Sequence, residues 1–296
     1  MDLADLPMYY CFDADDRSRR ETDAVNRNST VLRRLLGATA VALGGCLTQL
    51  APALAQDSTV TLSSNPATDA CMQDQACLRQ VFLGAAMGGG QERLSKWTIP
   101  VRAGVYAAKN LPQDRQVIGA RALQIMSSIG RSAGANLYAA NIDPNNPVNL
   151  ILFVSDDFER DRDGRFSAVI DRVFVGRPEI YDSLLAGEGP ICVSRWSLDQ
   201  LLAVSSAVAM VQTDLPPDGF EQCLYSTMLK MLGLTGGVPG ELESILNPTT
   251  SKTTWTALDF VLLGLLYHPL IEPGMTPRQI AEVFPWAYAE VMQKAG

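Results

Sequence analysis

Histidine is nearly absent: His268 is the single one in 296 residues. Hydrolases that work through zinc or a catalytic triad draw on imidazole as ligand or base, so this scarcity removes the commonest routes to a recognisable reaction. Charge is sparse too, at 19% of residues, and aromatics make up only 7%, against 47% apolar. That balance is ordinary for a globular protein and excludes a disordered chain, a collagen-like repeat and a coiled coil. No long basic stretch is present, and 24 basic against 32 acidic side chains give a formal charge of −8. Nucleic acid is therefore not an expected partner. Nothing in the sequence implies a cofactor.

What is present begins with an export signal. Arg33 and Arg34 are followed by LLGATAVALGGCLTQLAPALA over 35–55, the charged and apolar regions of a signal peptide, with a cleavage position after Ala55. The run is long enough to span a bilayer, which takes roughly 20 apolar residues, but its Gly, Thr and Pro content makes it a poor permanent anchor. Leu43-Gly44-Gly45-Cys46 also reads as a lipobox, which would leave Cys46 lipidated. Both outcomes place the protein outside the cytoplasm, periplasmic or lipid-anchored, with membrane contact only through the signal or the lipid. Residues 1–30, with seven acids and four arginines, read as a polar leader. Removing 1–56 moves the charge only to −7.

Residues 57–75 open with the small and polar DSTVTLSSNPATDA and read as a tether, and 76–296 as a single domain. Without the leader four cysteines remain: Cys71, Cys77, Cys192 and Cys223. An even set in an exported chain favours two disulfides, with three possible pairings. The pairing expected is Cys71 with Cys77 and Cys192 with Cys223, because each then closes its own loop.

Periodicity predicts helices over 72–87 and 114–129, the latter with Ile118, Ala122, Ile125 and Ile129 on one face. Strands are expected at 97–107, 136–142, 149–154 and 202–211. Asp218 and Glu221 suggest a capping box for a helix over 220–234 that Gly236-Gly237 would stop, and further helices are expected at 256–267 and 277–294. Strands interleaved with helices, then an all-helical last third, describe an α+β domain: a small mixed sheet with packed helices.

Three motifs carry little chemistry. Gly130-Arg131-Ser132-Ala133-Gly134 matches G-x-S-x-G, but a nucleophile elbow needs a strand before the serine and a helix after it, and here the order is reversed. Glu159 to Gly164 resembles half a calcium loop, yet Ile170 stands where the bidentate glutamate belongs and three arginines intrude. His268, at a helix end before Pro269, reads as a cap or a packed side chain.

The helix over 220–234 is more telling. Leu224, Met228, Met231 and Leu232 share an apolar face, and Cys223, Ser226, Thr227 and Lys230 recur on the other. The stretch from Ser226 to Leu234 has the length and apolar skeleton of a zincin helix, H-E-x-x-H-x-L-G-L, with every chemical position replaced. Ser226 and Lys230 stand for the two imidazoles and Thr227 for the glutamate. An ammonium at 230 would repel the metal, so no metal site is expected.

Phe82-Leu83, Trp97, Pro100-Val101, Cys192, Leu215-Pro216, Cys223-Leu224 and Met231 to Leu234 together resemble one family. So do Ser244 to Asn247, Thr256 to Asp259, Leu266 to Pro269 and Pro273-Gly274-Met275. It is the proteobacterial domain of unknown function DUF 2927, whose members are often described as lipoproteins. The resemblance covers roughly 76–290 and implies a zincin-like fold, export, and a disulfide between Cys192 and Cys223. Family members carry acidic and amide residues, in a pattern like E-E-x-x-Q, where this chain has Ser226, Thr227 and Lys230, so it departs even from its relatives. No activity comes with the family.

The function expected is that of an uncharacterised, exported, catalytically inactive metalloprotease-like domain, binding or scaffolding a protein or glycan of the cell envelope. Its candidate binding residues are Ser226, Thr227, Lys230 and Asn247. The alternative is a metal-independent hydrolase in which Lys230 activates Ser226, four residues away on the same helix.

Overall fold

A computed structural model describes residues 65–88, 90–108, 111, 113–140, 148–158 and 192–295. Helices α1 (Pro66–Gln73) and α2 (Gln75–Ala86) come first, where one helix is expected. The break is local chemistry. Asn65 caps α1 and Asp74 caps α2, each carboxyl or amide oxygen accepting two backbone N–H groups. The Cys71–Cys77 disulfide, with Cα atoms 5.2 Å apart, spans the break. The polar segment expected to be a tether is thus helical from Pro66 on. It is also docked: Thr68 is buried and its hydroxyl accepts the Glu243 N–H at 2.8 Å.

The sheet is mixed, in the order β2-β1-β3-β5-β4. Strands β1 (Val101–Ala107), β2 (Leu137–Ala139) and β3 (Leu150–Ser155) follow the expected positions, with α3 (Gln113–Ser132) crossing from β1 to β2. Strands β1, β2, β3 and β5 (Val204–Gln212) are mutually parallel where they pair. Every residue of β3, LILFVS, is buried, as a central parallel strand covered on both faces requires. One strand was not legible: β4 (Cys192–Leu198) pairs antiparallel with β5 and forms the sheet's edge. CVSRWSL is half polar because an edge strand covers only one face, so it lacks the apolar run that marks β3. Its turn into β5 is held by Asp199, whose carboxylate accepts from Leu201 N and Ala203 N.

The last third is helical as expected: α4 (Pro217–Met231), α5 (Ala257–Leu266) and α6 (Pro277–Ala295). The molecule is an α+β domain. Leu224, Met228 and Met231 of α4 and its C-cap Leu232 are buried in a core shared with β5, α2 and α5. The capping box at α4 is not formed: Pro216 is the N-cap, without a side-chain hydrogen bond, and Pro217 begins the helix. Proline at that position presets φ and gives up a donor that has no partner anyway, so the helix starts ahead of Asp218. A true capping box occurs at α5 instead, between Thr256 and Asp259. The α3 end also matches expectation. Ser132 donates back to the Ser128 carbonyl at 3.1 Å, and Gly134 leaves the helix at φ 94°. The calcium-like segment from Glu159 lies outside the described residues, as do Cys46 and the expected export signal.

Candidate functional site

The Cys192–Cys223 disulfide ties the first residue of β4 to α4, with Cα atoms 5.7 Å apart. Thr227, one turn further along, is buried against that bridge, its hydroxyl 3.5 Å from Cys192 Sγ. Ser226 is half-buried and donates to the Cys223 carbonyl at 3.1 Å, so its hydroxyl is turned into its own helix rather than onto Lys230. Lys230 is half-buried, and burial pulls its pKa below the usual lysine value. Asn247 lies elsewhere, in the loop after α4. Its amide donates to Gly240 O and Leu242 O and accepts from Thr249 N and Oγ1, each at 2.9 Å. All four of its hydrogen-bonding places serve the loop. The fold therefore brings Ser226, Thr227 and Lys230 to the side of α4 that meets β4, and assigns Asn247 to loop structure.

The end of α4 is built with unusual care. Gly233 adopts φ +108°, Gly233 N donates to Lys230 O, and Leu234 N donates to Leu229 O. These two bonds are a Schellman ending, so the helix stops at Gly233, before the expected Gly236-Gly237. A Cβ on Gly233 would lie 2.9 Å from Ser95 O. Gly233→Ala should therefore cost about 1–3 kcal/mol through backbone strain and crowding, measured as a lowered urea midpoint. Gly236 is wedged against the backbone of α2, with its N–H donating to Ala85 O at 2.7 Å.

Residues beyond the helix complete this end. The Trp97 indole donates to Met231 O at 2.8 Å, and the Tyr267 hydroxyl to Leu232 O at 2.8 Å. Burial pushes the Tyr267 phenol's pKa up, so it stays a donor. Behind them Lys96 is buried. Its ammonium donates to Leu266 O at 3.1 Å and His268 O at 3.4 Å, closing the end of α5. Burial lowers its pKa to about 8, against an opposing pull from Glu272. His268 is a packed side chain: Nδ1 accepts from Leu270 N at 3.2 Å and Nε2 faces Glu290 Oε2 at 3.1 Å. Lys96 escapes sequence reasoning, because beside the alternating Trp97, Ile99 and Val101 a lysine falls on the opposite face of the expected strand and reads as turned to solvent.

Among the described residues, no group of three or more His, Cys, Asp or Glu side chains could hold a metal ion. No helix among them is long and apolar enough to cross a membrane. The two disulfides are consistent with an extracellular or periplasmic location.

These features define a disulfide-braced α+β domain organised around one rigidly terminated helix. The chain belongs to the family described as protein of unknown function DUF2927, whose model matches residues 75–286. No curated protein and no solved structure matches it.

Proposed function

We propose that this protein is an exported, non-enzymatic domain of zincin-like build that binds or scaffolds a protein or glycan of the cell envelope through the β4-facing side of α4. The observation that carries the reading is a helix with a metalloprotease skeleton and no donors to match. In the extended zincin motif, H-E-x-x-H-x-x-G-x-x-H, a glycine turns the chain toward a third ligand. Gly233 falls at that glycine's spacing and Gly236 at the third ligand's. The residues present do not fit zinc. Gly236 has no side chain, the Thr227 hydroxyl faces the disulfide, the Ser226 hydroxyl is turned to a carbonyl, and Lys230 brings positive charge.

In this reading Lys230 faces the ligand and Ser226 and Thr227 shape the surface around it, while Asn247 holds its own loop. Export and either cleavage after Ala55 or lipidation of Cys46 complete it. Elemental analysis of purified mature protein should find well under one zinc per chain. Stoichiometric zinc that disappears in Ser226→Ala or Lys230→Ala would overturn the reading. Labelling by a serine-reactive phosphonate, abolished in Ser226→Ala, would establish instead the metal-independent hydrolase in which Lys230 serves as base.

A further inference from the structure

A lysine in the last turn of a helix is ordinarily explained by the helix dipole and by the terminal carbonyls it can cap. At α4 those carbonyls are taken by other groups. Met228 O accepts from Leu232 N, Leu229 O from Leu234 N, and Lys230 O from Gly233 N. Met231 O accepts from Trp97 and Leu232 O from Tyr267. The nearby ammonium of Lys96 is occupied with the end of α5. Lys230 is thus left half-buried with no carboxylate or carbonyl on its ammonium among the described residues. Its lowered pKa arises from burial, with no acidic neighbour offsetting it. A half-desolvated cation of this kind gains from an arriving anion.

Two observations narrow the anion. The chain's charge of −8 opposes a polyanion, which favours a ligand with a single negative group. The second is the strand alongside. At one end β4 is joined to α4 through Cys192 and Cys223. At the other end Leu198 pairs with Val204, which bridges to Trp97, whose indole reaches Met231. So β4 runs beside α4 from the level of Cys223 past its last turn, and with about 1.5 Å of rise per helical residue against about 3.3 Å per strand residue Lys230 stands beside the middle of β4. Three residues after Thr227 and seven after Cys223, Lys230 shares their β4-facing side. The outer edge of β4 is unpaired among the described strands, and an open edge accepts an extended peptide through main-chain hydrogen bonds.

We propose that Lys230 anchors the free C-terminal carboxylate of an extended peptide lying along β4. This ligand class presupposes that the β4-facing side of α4 is a binding surface, as proposed, and says what it holds.

The test is an NMR titration of the full chain with N-acetyl-trialanine, as the free acid and as its C-terminal amide, in the wild type, Lys230→Gln and Lys230→Arg. The wild type should bind the acid about tenfold more tightly than the amide, a difference of the size a charge-assisted contact supplies. Lys230→Gln should bind both as the wild type binds the amide, and Lys230→Arg should recover most of the acid preference. An unchanged thermal melt of Lys230→Gln would show that the fold survives. Equal binding of acid and amide, an acid preference that persists in Lys230→Gln, or no binding of either overturns the proposal. So does glucuronate binding as tightly as the peptide acid, which would put a sugar acid in the peptide's place. Failure of the non-enzymatic reading registers separately, as phosphonate labelling of Ser226 or stoichiometric zinc on the same preparation.

Discussion

Asp259→Ala should destabilise the protein by about 3–5 kcal/mol, a large part of the roughly 5–15 kcal/mol that holds a domain folded. The carboxylate is buried at the first turn of α5, where it accepts from the Ser244 hydroxyl and two backbone N–H groups and shares the single Thr256 hydroxyl proton with the Glu243 carbonyl. Ser244 Oγ lies 2.5 Å from Oδ1, while Ile245 N at 3.1 Å, Thr256 N at 2.8 Å and Thr256 Oγ1 at 3.0 Å converge on Oδ2. Alanine would strand two backbone N–H groups in the interior and release the loop that Ser244 and Asn247 organise. The Thr256 hydroxyl still has the Glu243 carbonyl at 2.8 Å, so it is not orphaned. An asparagine side chain keeps the acceptor for the Oδ2 donors and offers an N–H to Ser244 Oγ, so Asp259→Asn should cost about 1 kcal/mol, the scale of one ordinary hydrogen bond.

The same pair of variants separates charge from hydrogen bonding. Burial raises the Asp259 pKa, opposed by the hydrogen bonds from Ser244, Thr256 and Ile245. A carboxyl with a raised folded pKa binds protons more tightly in the native state. Its contribution is then fully present below the ordinary carboxylate value and is lost as pH rises through the folded one. Urea midpoints measured upward from pH 4 should show that decline in the wild type and less of it in Asp259→Asn. An identical slope in both would mean that Asp259 does not titrate in that window.

Cutting the Cys192–Cys223 bridge comes second in size. Its ends are 31 residues apart, against 6 for Cys71–Cys77. The loop-entropy relation then assigns about 3.5 kcal/mol to the longer bridge and about 2 kcal/mol to the shorter. Paired serine variants at 192 and 223 should lower the guanidinium midpoint more than serines at 71 and 77. The longer bridge also fixes the edge strand against α4, so its loss should abolish any peptide binding along β4, whereas the shorter bridge should leave that binding intact. Free thiols at all four of Cys71, Cys77, Cys192 and Cys223 in the purified, unreduced protein would refute both bridges.

The elements legible in the sequence are those whose pattern is local. The four apolar positions of α4 repeat at helical spacing, β3 is an unbroken apolar run, and α3, α5 and α6 lie close to their expected bounds. The absence of His, Cys, Asp and Glu from Ser226 to Lys230 is equally plain, since the absence of a side chain type needs no geometry. The elements missed are those governed by context. Edge strand β4 carries a polar face, α1 is short and polar, and the start of α4 is set by two prolines rather than by Asp218.

Composition and local periodicity by themselves determined an α+β domain, the apolar face of α4, and a cysteine set with three possible pairings once the first 56 residues are set aside. Only the tertiary structure decided how these parts meet. It turned Thr227 inward against a disulfide, committed Asn247 to its loop, and closed the end of α4 with Trp97 and Tyr267, while Lys96 and Asp259 went to the interior. The reason is distance along the chain: Trp97 reaches a carbonyl 134 residues away and Lys96 one 170 residues away. Contacts of that span arise when packed elements exclude water and every buried polar group must find a partner, which no local pattern encodes.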